Sequence, residues 1–167
     1  KSGKFIIRKK SNNNEIINTL RGKSLTVRVT FNNQERIEDL AGRISMQIAP
    51  DSLSLLNAFI DPSFLDLKGF NNANALSMYI PNSYDFFWNT TAENFRDKMW
   101  DYYQRFWTEA RQEKAKNLGL TQLEVIDLAA IVQKETQKVD ERPRVAGVYL
   151  NRIKRKMKLQ ADPTVIY

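Results

Sequence analysis

Hydrophobic positions in the first half of the chain change from a spacing of two residues to helical spacing. Between residues 25 and 31 every second side chain is apolar, which predicts a half-buried strand. Apolar side chains then recur three or four residues apart over 37–48 and 53–59, and Asp51 is placed to cap the second of these two helices. A strand followed by two short amphipathic helices predicts a small α/β module.

Shorter segments around this module give weaker patterns. We expect a short strand at 5–7 and a short helix over 14–20 before the module, and closing loops at 61–62 and 71–74 after it. The aromatic-rich stretch 79–88 contains a proline and shows no clear period, so we expect it to be irregular and to form the wall of a groove.

The second half of the chain has helical spacing throughout. Thr90 with Glu93, and Thr121 with Glu124, have the three-residue separation of a capping box, which predicts the start of a long helix at each place. The helix that follows Thr121 is apolar on nearly all sides, so we expect it to be central to a helical core. Asp140 is expected to cap a third helix.

Two residue types are missing from the sequence, which contains neither cysteine nor histidine. Disulfides, thiol nucleophiles, Cys-based metal sites, a Ser-His-Asp triad and a His-ligated zinc are therefore excluded. Acid–base chemistry near neutral pH has to come from carboxylates, Lys or Tyr, and we expect neither a metal nor an organic cofactor. The formal net charge of +7 suits a polyanionic partner such as nucleic acid, an anionic lipid surface or an acidic cell-wall polymer.

Glu135 is the carboxylate that the helical pattern singles out. It follows Leu128, Ile131 and Val132 at helical spacing, so it shares their apolar stripe. We expect a carboxyl group in this position to be partly desolvated, which favours the protonated form that can donate a proton. The alternative is a glutamate at a helix end that is solvated or paired with an arginine.

Glycoside cleavage is chemistry that carboxylates perform without histidine, cysteine or metal. Hydrolases of this kind need two carboxyl groups, and Glu141 and Asp162 are candidates for the second. A basic run over 152–158 follows the third predicted helix. It either holds an anionic polymer or lipid headgroups, or is a solvated helix end that the helix dipole favours.

Three motifs follow one another in the last third of the chain. They read LAAIVQKET over 128–136, ERPRVAGVYLNRI over 141–153 and MKLQADPTVIY over 157–167. In this order and spacing they resemble the catalytic core of the endolytic murein transglycosylase family, also called MltG or YceG-like. Upstream, YIPNSY over 79–84 is similar to the family segment Glu-Gly-aromatic-Pro-Asp-Thr-aromatic, although Leu and Ser at 76–77 stand in place of Glu-Gly.

The resemblance implies an α+β protein in three parts. A strand–helix segment (1–24) precedes a small LysM-like α/β module (25–75), and a mostly helical, lysozyme-like catalytic region (76–167) follows. It also implies that the catalytic region is truncated at its C-terminus, because the chain stops inside the last motif, and that the family's N-terminal membrane helix is missing.

By the same resemblance, the activity is cleavage of MurNAc–GlcNAc bonds inside peptidoglycan strands, leaving 1,6-anhydro-MurNAc ends. The family's essential glutamate matches Glu135, which would act first as general acid and then as general base. Further matches, in substrate binding or in support of the catalytic group, are Asn151, Gln160, Asp162, Thr164 and Glu141, with Tyr84 in the upstream segment. Glu141 is expected to pair with Arg152 or Arg142.

The implied setting is the cell envelope, with a single-pass anchor in the cytoplasmic membrane and the catalytic part facing the cell wall. Peptidoglycan strands are the expected partner, with cell-wall synthases as a further candidate and no nucleic acid. Two alternatives stay open from the sequence. One is a non-catalytic peptidoglycan-binding module. The other is a basic nucleic-acid-binding protein, which only the positive charge and the aromatic residues support.

Overall fold

The computed structural model describes residues 3–22 and 24–161, which have the α+β architecture that the sequence predicts. The elements in chain order are α1 (Asn13–Arg21), β1 (Thr26–Phe31), α2 (Ile37–Ser45), α3 (Ser52–Phe59), α4 (Pro62–Lys68), a 3-10 turn (Ala75–Met78), β2 (Asn82–Phe87), α5 (Ala92–Phe106), α6 (Glu109–Asn117), α7 (Gln122–Glu135) and α8 (Arg142–Lys154). The chain divides into two compact units, Lys1–Arg105 and Phe106–Tyr167.

The first unit is built on an antiparallel pair of strands, β1 and β2. Val29 lies opposite Tyr84 and Val27 lies opposite Phe86, so apolar side chains face each other across the pair. Helix α2 packs beside β1, α3 packs against α2, and α5 supplies two more fully buried side chains, Phe95 and Met99. The pairing of β1 with β2 joins two segments that lie on opposite sides of residue 75/76, where the sequence suggests the boundary between the module and the catalytic region.

The prediction of an irregular stretch at 79–88 was wrong, because residues 82–87 form β2. Tyr84 and Phe86 point into the core while Phe87 is half exposed, which is the alternation of a strand with one buried face. The strand exists because β1 needs a partner for its backbone hydrogen bonds, and this partner lies more than fifty residues away along the chain.

Local capping was predicted well in the first unit. The Asp51 side chain accepts a hydrogen bond from the Ser54 backbone N–H at 2.7 Å and begins α3, and this bond lowers the pKa of the carboxyl group. Helix α1 ends at Gly22. The loop expected at 61–62 is instead the start of α4, because Asp61 caps the helix and Pro62 is pre-set for its first turn.

At the N-terminus, the strand expected at 5–7 is absent among the described residues. A single bridge joins Lys4 to Leu25, and the side chains of Ile6 and Ile7 are exposed. No apolar surface covers these two side chains, so a strand at this position would gain no stabilisation from their burial.

The long helix expected from residue 90 onward is two helices, α5 and α6. Thr91, not Thr90, accepts the capping hydrogen bond from Asn94, and the helix stops at Phe106. Thr108 then has extended backbone angles. Arg111 and Gln112 donate side-chain hydrogen bonds to the carbonyl groups of residues 106 and 107, which the interruption leaves without helical partners.

The second unit contains the hairpin of α7 and α8. Thr121 and Glu124 form the predicted capping box at the start of α7. The Thr121 backbone N–H and hydroxyl group both donate to Oε2 of Glu124, and these two bonds lower the pKa of the Glu124 carboxyl group. Asp140 does not cap α8. The helix follows Glu141 without any side-chain capping bond, and Pro143 lies in its first turn.

The expectation that α7 is central to a helical core was wrong for the described residues. Val132 is the buried residue of this helix, while Ala129 and Ala130 are exposed. Val132 forms a small core with Tyr149 of α8 and with Ala161. The half-buried side chains packed around this core are Leu128, Ile131, Val145, Ala146 and Leu159. None of the helices in the described part of the chain has the length and hydrophobicity needed to cross a bilayer.

Candidate active site

Glu135 is the last residue of α7, and its side chain is exposed. The expectation of a partly desolvated carboxyl group was therefore wrong. The apolar stripe of Leu128, Ile131 and Val132 packs against α8, but its burial ends one helical turn before Glu135. A ligand can reach this carboxylate without any rearrangement of the helix.

Tyr149 is the hydrogen-bond partner of Glu135. Its hydroxyl group, on α8, donates to Oε1 of Glu135 at 2.7 Å, a good distance for a bond between a hydroxyl donor and a carboxylate. The Tyr149 side chain is only 7% exposed and packs in the small core with Val132 and Ala161. Within residues 3–22 and 24–161, this is the only hydrogen bond of the Glu135 side chain, and no described residue bonds to Oε2.

Tyr149 is a functional candidate that the sequence analysis missed. A signal was present, since a buried tyrosine hydroxyl usually needs a polar partner. On α7, the apolar stripe of Leu128, Ile131 and Val132 continues to one polar residue, Glu135.

The turn after Glu135 is fixed by a compact polar cluster. Thr136 is buried, and its hydroxyl donates to Oε2 of Glu141 at 2.8 Å and accepts from the Lys138 backbone N–H at 3.1 Å. The Lys138 ammonium lies 3.2 Å from Oε1 of Glu141. The expected pairing of Glu141 with Arg152 or Arg142 was therefore wrong. Glu141 instead closes the turn between α7 and α8.

Arg152 folds back onto the segment that follows α8. Its Nη1 donates to the backbone oxygen of Leu159 at 2.8 Å and to that of Lys158 at 3.2 Å, and to Oε1 of Gln160 at 3.1 Å. Gln160 has a backbone φ of 49°, which few residues other than glycine adopt. Asn151 is exposed on α8.

Tyr84 lies in the first unit and is a buried core residue. Its hydroxyl group donates to the Ile80 backbone oxygen at 2.5 Å, and its ring packs against those of Phe31 and Tyr102. Burial, with a smaller effect of Tyr102, raises the pKa of Tyr84 to about 12. Asp162 and Thr164, the two other candidates, lie outside the described residues.

The structure thus brings Glu135, Tyr149, Thr136 and Glu141 together at the junction of α7 and α8. Of the two carboxyl groups there, Glu141 is engaged by Thr136 and Lys138, whereas Glu135 is exposed and held at one oxygen. No cluster of three or more potential metal ligands occurs in the described ranges. The arrangement suits proton transfer by a single carboxyl group.

A comparison with protein families matches the whole chain, residues 1–167, to the YceG-like family. The chain belongs to the YceG-like family. This confirms the resemblance that the three motifs indicated. A comparison with solved structures found no match.

Curated relatives match over shorter segments. An endolytic murein transglycosylase of Bacillus subtilis (strain 168) is 31% identical over 61 residues, which are 36% of this chain and 17% of the relative. A protein with the same name from Streptococcus pneumoniae serotype 2 (strain D39 / NCTC 7466) is 39% identical over 54 residues, or 32% of this chain and 9% of the relative. The matched segments thus span less than a fifth of each relative.

Proposed function

We propose that this YceG-like chain acts in a peptidoglycan lytic transglycosylase. The reaction is cleavage of MurNAc–GlcNAc bonds within glycan strands, leaving 1,6-anhydro-MurNAc ends, and Glu135 is its acid–base residue. The observation that carries the proposal is the exposed Glu135 carboxyl group, fixed at Oε1 by the buried Tyr149 hydroxyl. The two relatives that are named endolytic murein transglycosylase support the choice of substrate and reaction.

In this mechanism one carboxyl group serves two consecutive proton transfers. Protonated Glu135 gives its proton to the glycosidic oxygen, and the bond from that oxygen to C1 of the muramic acid breaks. The resulting carboxylate takes the proton of the C6 hydroxyl group of the same sugar, whose oxygen bonds to C1. Glu135 ends protonated, as it began, and no water is consumed. An intramolecular nucleophile needs no second carboxylate to activate a water molecule.

Tyr149 and the turn after α7 would position the catalytic carboxyl group. Because Tyr149 occupies Oε1, proton transfer would proceed through Oε2. Glu141 would act through Thr136, by holding the first residues after α7 in place. For Asn151, Gln160, Asp162, Thr164 and Tyr84 we propose substrate positioning or support of the site, on the strength of their match to the family motifs.

Binding of the strand would involve the first unit as well. We propose that residues 25–75 form a LysM-like glycan-binding module, which the order β1–α2–α3 supports, and that β2 of the following region pairs with its strand β1. Residues 1–24 would precede it as a separate segment, and 76–167 would form a lysozyme-like catalytic region. The setting that fits this substrate is the cell envelope, with membrane anchoring and cell-wall synthases as partners.

The test compares two conservative variants of exposed carboxylates. Glu135→Gln removes the acid, whereas Glu113→Gln changes an exposed glutamate of α6 that makes no ion pair in the described part of the chain. Release of soluble fragments and sedimentation with insoluble peptidoglycan are measured, with the Bacillus subtilis relative as positive control for cleavage. We expect Glu135→Gln to lose the release of fragments and to keep binding, and Glu113→Gln to keep both.

Release by Glu135→Gln at the wild-type rate would contradict the proposal. Binding by the wild-type chain without any release would indicate a non-catalytic binding module instead.

A further inference from the structure

A group of cations at the end of α8 has no role in the function proposed above. We call it the basic turn, and it consists of Lys154, Arg155, Lys156 and Lys158. All four side chains are exposed, and none has an ion pair or hydrogen bond within the described ranges. The sequence from 142 to 161 contains seven basic residues and no acidic one. The turn therefore presents positive charge that no acidic side chain of the described residues neutralises.

The basic turn is held in a defined shape and is not a frayed helix end. Arg152 donates to the backbone oxygens of Lys158 and Leu159, and the Met157 backbone N–H donates to the Arg152 oxygen at 2.9 Å. Lys156 has a backbone φ of 54°, which reverses the chain at this point. Ala161, just beyond the turn, is completely buried in the small core. These contacts fix the backbone from which the four cationic side chains extend.

The basic turn is also close to the candidate active site. Tyr149, which holds Glu135, lies on the same helix five residues before Lys154. At a rise of about 1.5 Å per residue, the turn begins about 8 Å along the helix axis from Tyr149. A polymer bound at Glu135 that extends along α8 would reach the four cations.

We propose that the basic turn binds the carboxylates of the stem peptides on the glycan strand, so that peptide-bearing strands are the preferred ligand. The inference rests on the proposed function, because it takes peptidoglycan as the polymer at Glu135. An anionic lipid surface is less suited, since membrane-binding basic segments combine cations with an exposed apolar face. Between residues 151 and 161, Met157 is the one large apolar side chain that is exposed. Carboxylate-bearing peptides recur along a peptidoglycan strand between neutral sugars, and four exposed cations beside a single exposed apolar side chain match that chemistry.

The experiment uses a fourfold variant and a control with the same net charge. In the basic-turn variant, Lys154, Arg155, Lys156 and Lys158 are replaced by glutamine. In the control variant, the same replacement is made at Lys9, Lys10, Lys114 and Lys116, which are exposed elsewhere. Both variants have a formal net charge of +3, four less than the natural chain. Circular dichroism checks that each variant folds.

Binding is measured to uncrosslinked glycan strands with intact stem peptides, to strands stripped of peptides by an amidase, and to vesicles with anionic lipid. We expect the natural chain and the control variant to bind the peptide-bearing strands about tenfold more tightly than the basic-turn variant does, as the loss of several exposed ion pairs would give. The difference should be much smaller on stripped strands, because each muramic acid there keeps only its own lactyl carboxylate, and it should shrink at high salt, because salt screens exposed charges.

Three outcomes would overturn the inference. These are equal binding of both variants to peptide-bearing strands, an equal loss on stripped strands, and a loss confined to lipid vesicles, which would make the turn a membrane contact. Cleavage is scored separately, so the two proposals can fail independently. A chain that discriminates peptide-bearing strands without cleaving them would contradict the proposed reaction alone. A chain that cleaves, but binds peptide-bearing and stripped strands equally well, would contradict only the proposed role of the basic turn.

Discussion

The hydrogen bond between Tyr149 and Glu135 shows how a packing residue can also be a functional one. The ring of Tyr149 belongs to the small core of the second unit, while its hydroxyl group reaches an exposed carboxylate at 2.7 Å. A rigid, buried donor restricts the rotamers of a side chain that would otherwise move freely at a helix end. The orientation of Glu135 thus depends on the packing of α7 against α8.

Replacing Tyr149 by phenylalanine tests this dependence. The ring and its packing remain, and only the donor to Oε1 is lost. A hydrogen bond to a charged group typically contributes about 1.5–3 kcal/mol, so we expect the rate of fragment release to fall by about tenfold to a hundredfold. Far-UV circular dichroism should not change. The control is Tyr102→Phe in the first unit, and a Tyr149→Phe variant that cleaves as fast as this control would contradict a positioning role.

Tyr84 gives a prediction about alkaline pH. Tyrosine in an unfolded chain ionises near pH 10, whereas burial raises the pKa of Tyr84 in the folded protein to about 12. The neutral form is therefore favoured by folding. Ionisation of Tyr84 should therefore add no pH dependence to the free energy of unfolding below about pH 10. Above that, it should make this free energy fall as the pH rises from 10 to 12. Urea denaturation of Tyr84→Phe should show a shallower decline over that range than the wild type. An equally steep decline would mean that another group, such as the more deeply buried Tyr79, governs it.

Helices and strands were predictable from the sequence where their signals are local. The alternation over 25–31 and the caps at Asp51 and Thr121 involve neighbours within a few residues, and all three occur as expected. The strand β2 was missed because its reason is the distant partner β1. The interruption between α5 and α6 was missed because side chains that satisfy freed carbonyl groups leave no periodic pattern.

The same distinction applies to the candidate site. The position of Glu135 on the apolar stripe of α7 could be read from spacing, but its exposure could not, because burial depends on where the packing against α8 ends. The contacts of Tyr149 and Glu141 depend on how the hairpin closes, which is tertiary geometry. Sequence reasoning placed the carboxylate on the correct helix and did not find its partner.

The capping box of α7 allows a prediction at the scale of one helix. Thr121→Ala removes the oxygen that accepts from the Glu124 backbone N–H, which should cost about 1 kcal/mol in the free energy of unfolding. The matched control is Thr108→Ala, because Thr108 occupies the same position in α6 without a capping hydrogen bond. We expect the control to have a much smaller effect in urea denaturation, and equal effects would contradict the importance of the box.

The pKa of Glu124 supplies a second readout of the same box. The hydrogen bonds from Thr121 lower this pKa in the folded state, so their stabilisation is present above the pKa of the unfolded chain and is lost as the pH falls through the folded value. In Thr121→Ala the pKa should move upward, back towards its ordinary value, in an NMR titration of the carboxyl carbon. An unchanged titration curve would show that the hydroxyl group of Thr121 has no part in it.

At the scale of the whole molecule, the two units have cores of very different size. The fully buried side chains with the largest volumes all belong to the first unit, among them Phe59, Phe86 and Phe95. In the second unit, the buried cluster described between α7 and α8 contains Val132, Tyr149 and Ala161. Since hydrophobic burial is the main source of local stability, the unit that contains Glu135 should open more readily than the other.

Hydrogen exchange measures this difference directly. We expect the slowest backbone amides in β1 and in the buried turns of α2 and α5, and faster exchange throughout α7 and α8. Backbone amides in the first turn of α7 should exchange more slowly in the wild type than in the Thr121→Ala variant. Amides of α8 that exchange as slowly as those of β1 would contradict the account of a weakly packed second unit.

The central claim is that Glu135 performs both proton transfers of a lytic transglycosylase reaction. Mass spectrometry of the muropeptides left after incubation with peptidoglycan tests it most directly, because each reaction leaves a different sugar end. The account predicts internal fragments that end in 1,6-anhydro-MurNAc, formed by the wild type and by Glu113→Gln but not by Glu135→Gln. Fragments with free reducing ends would contradict it, because they would require an activated water molecule and a second carboxylate.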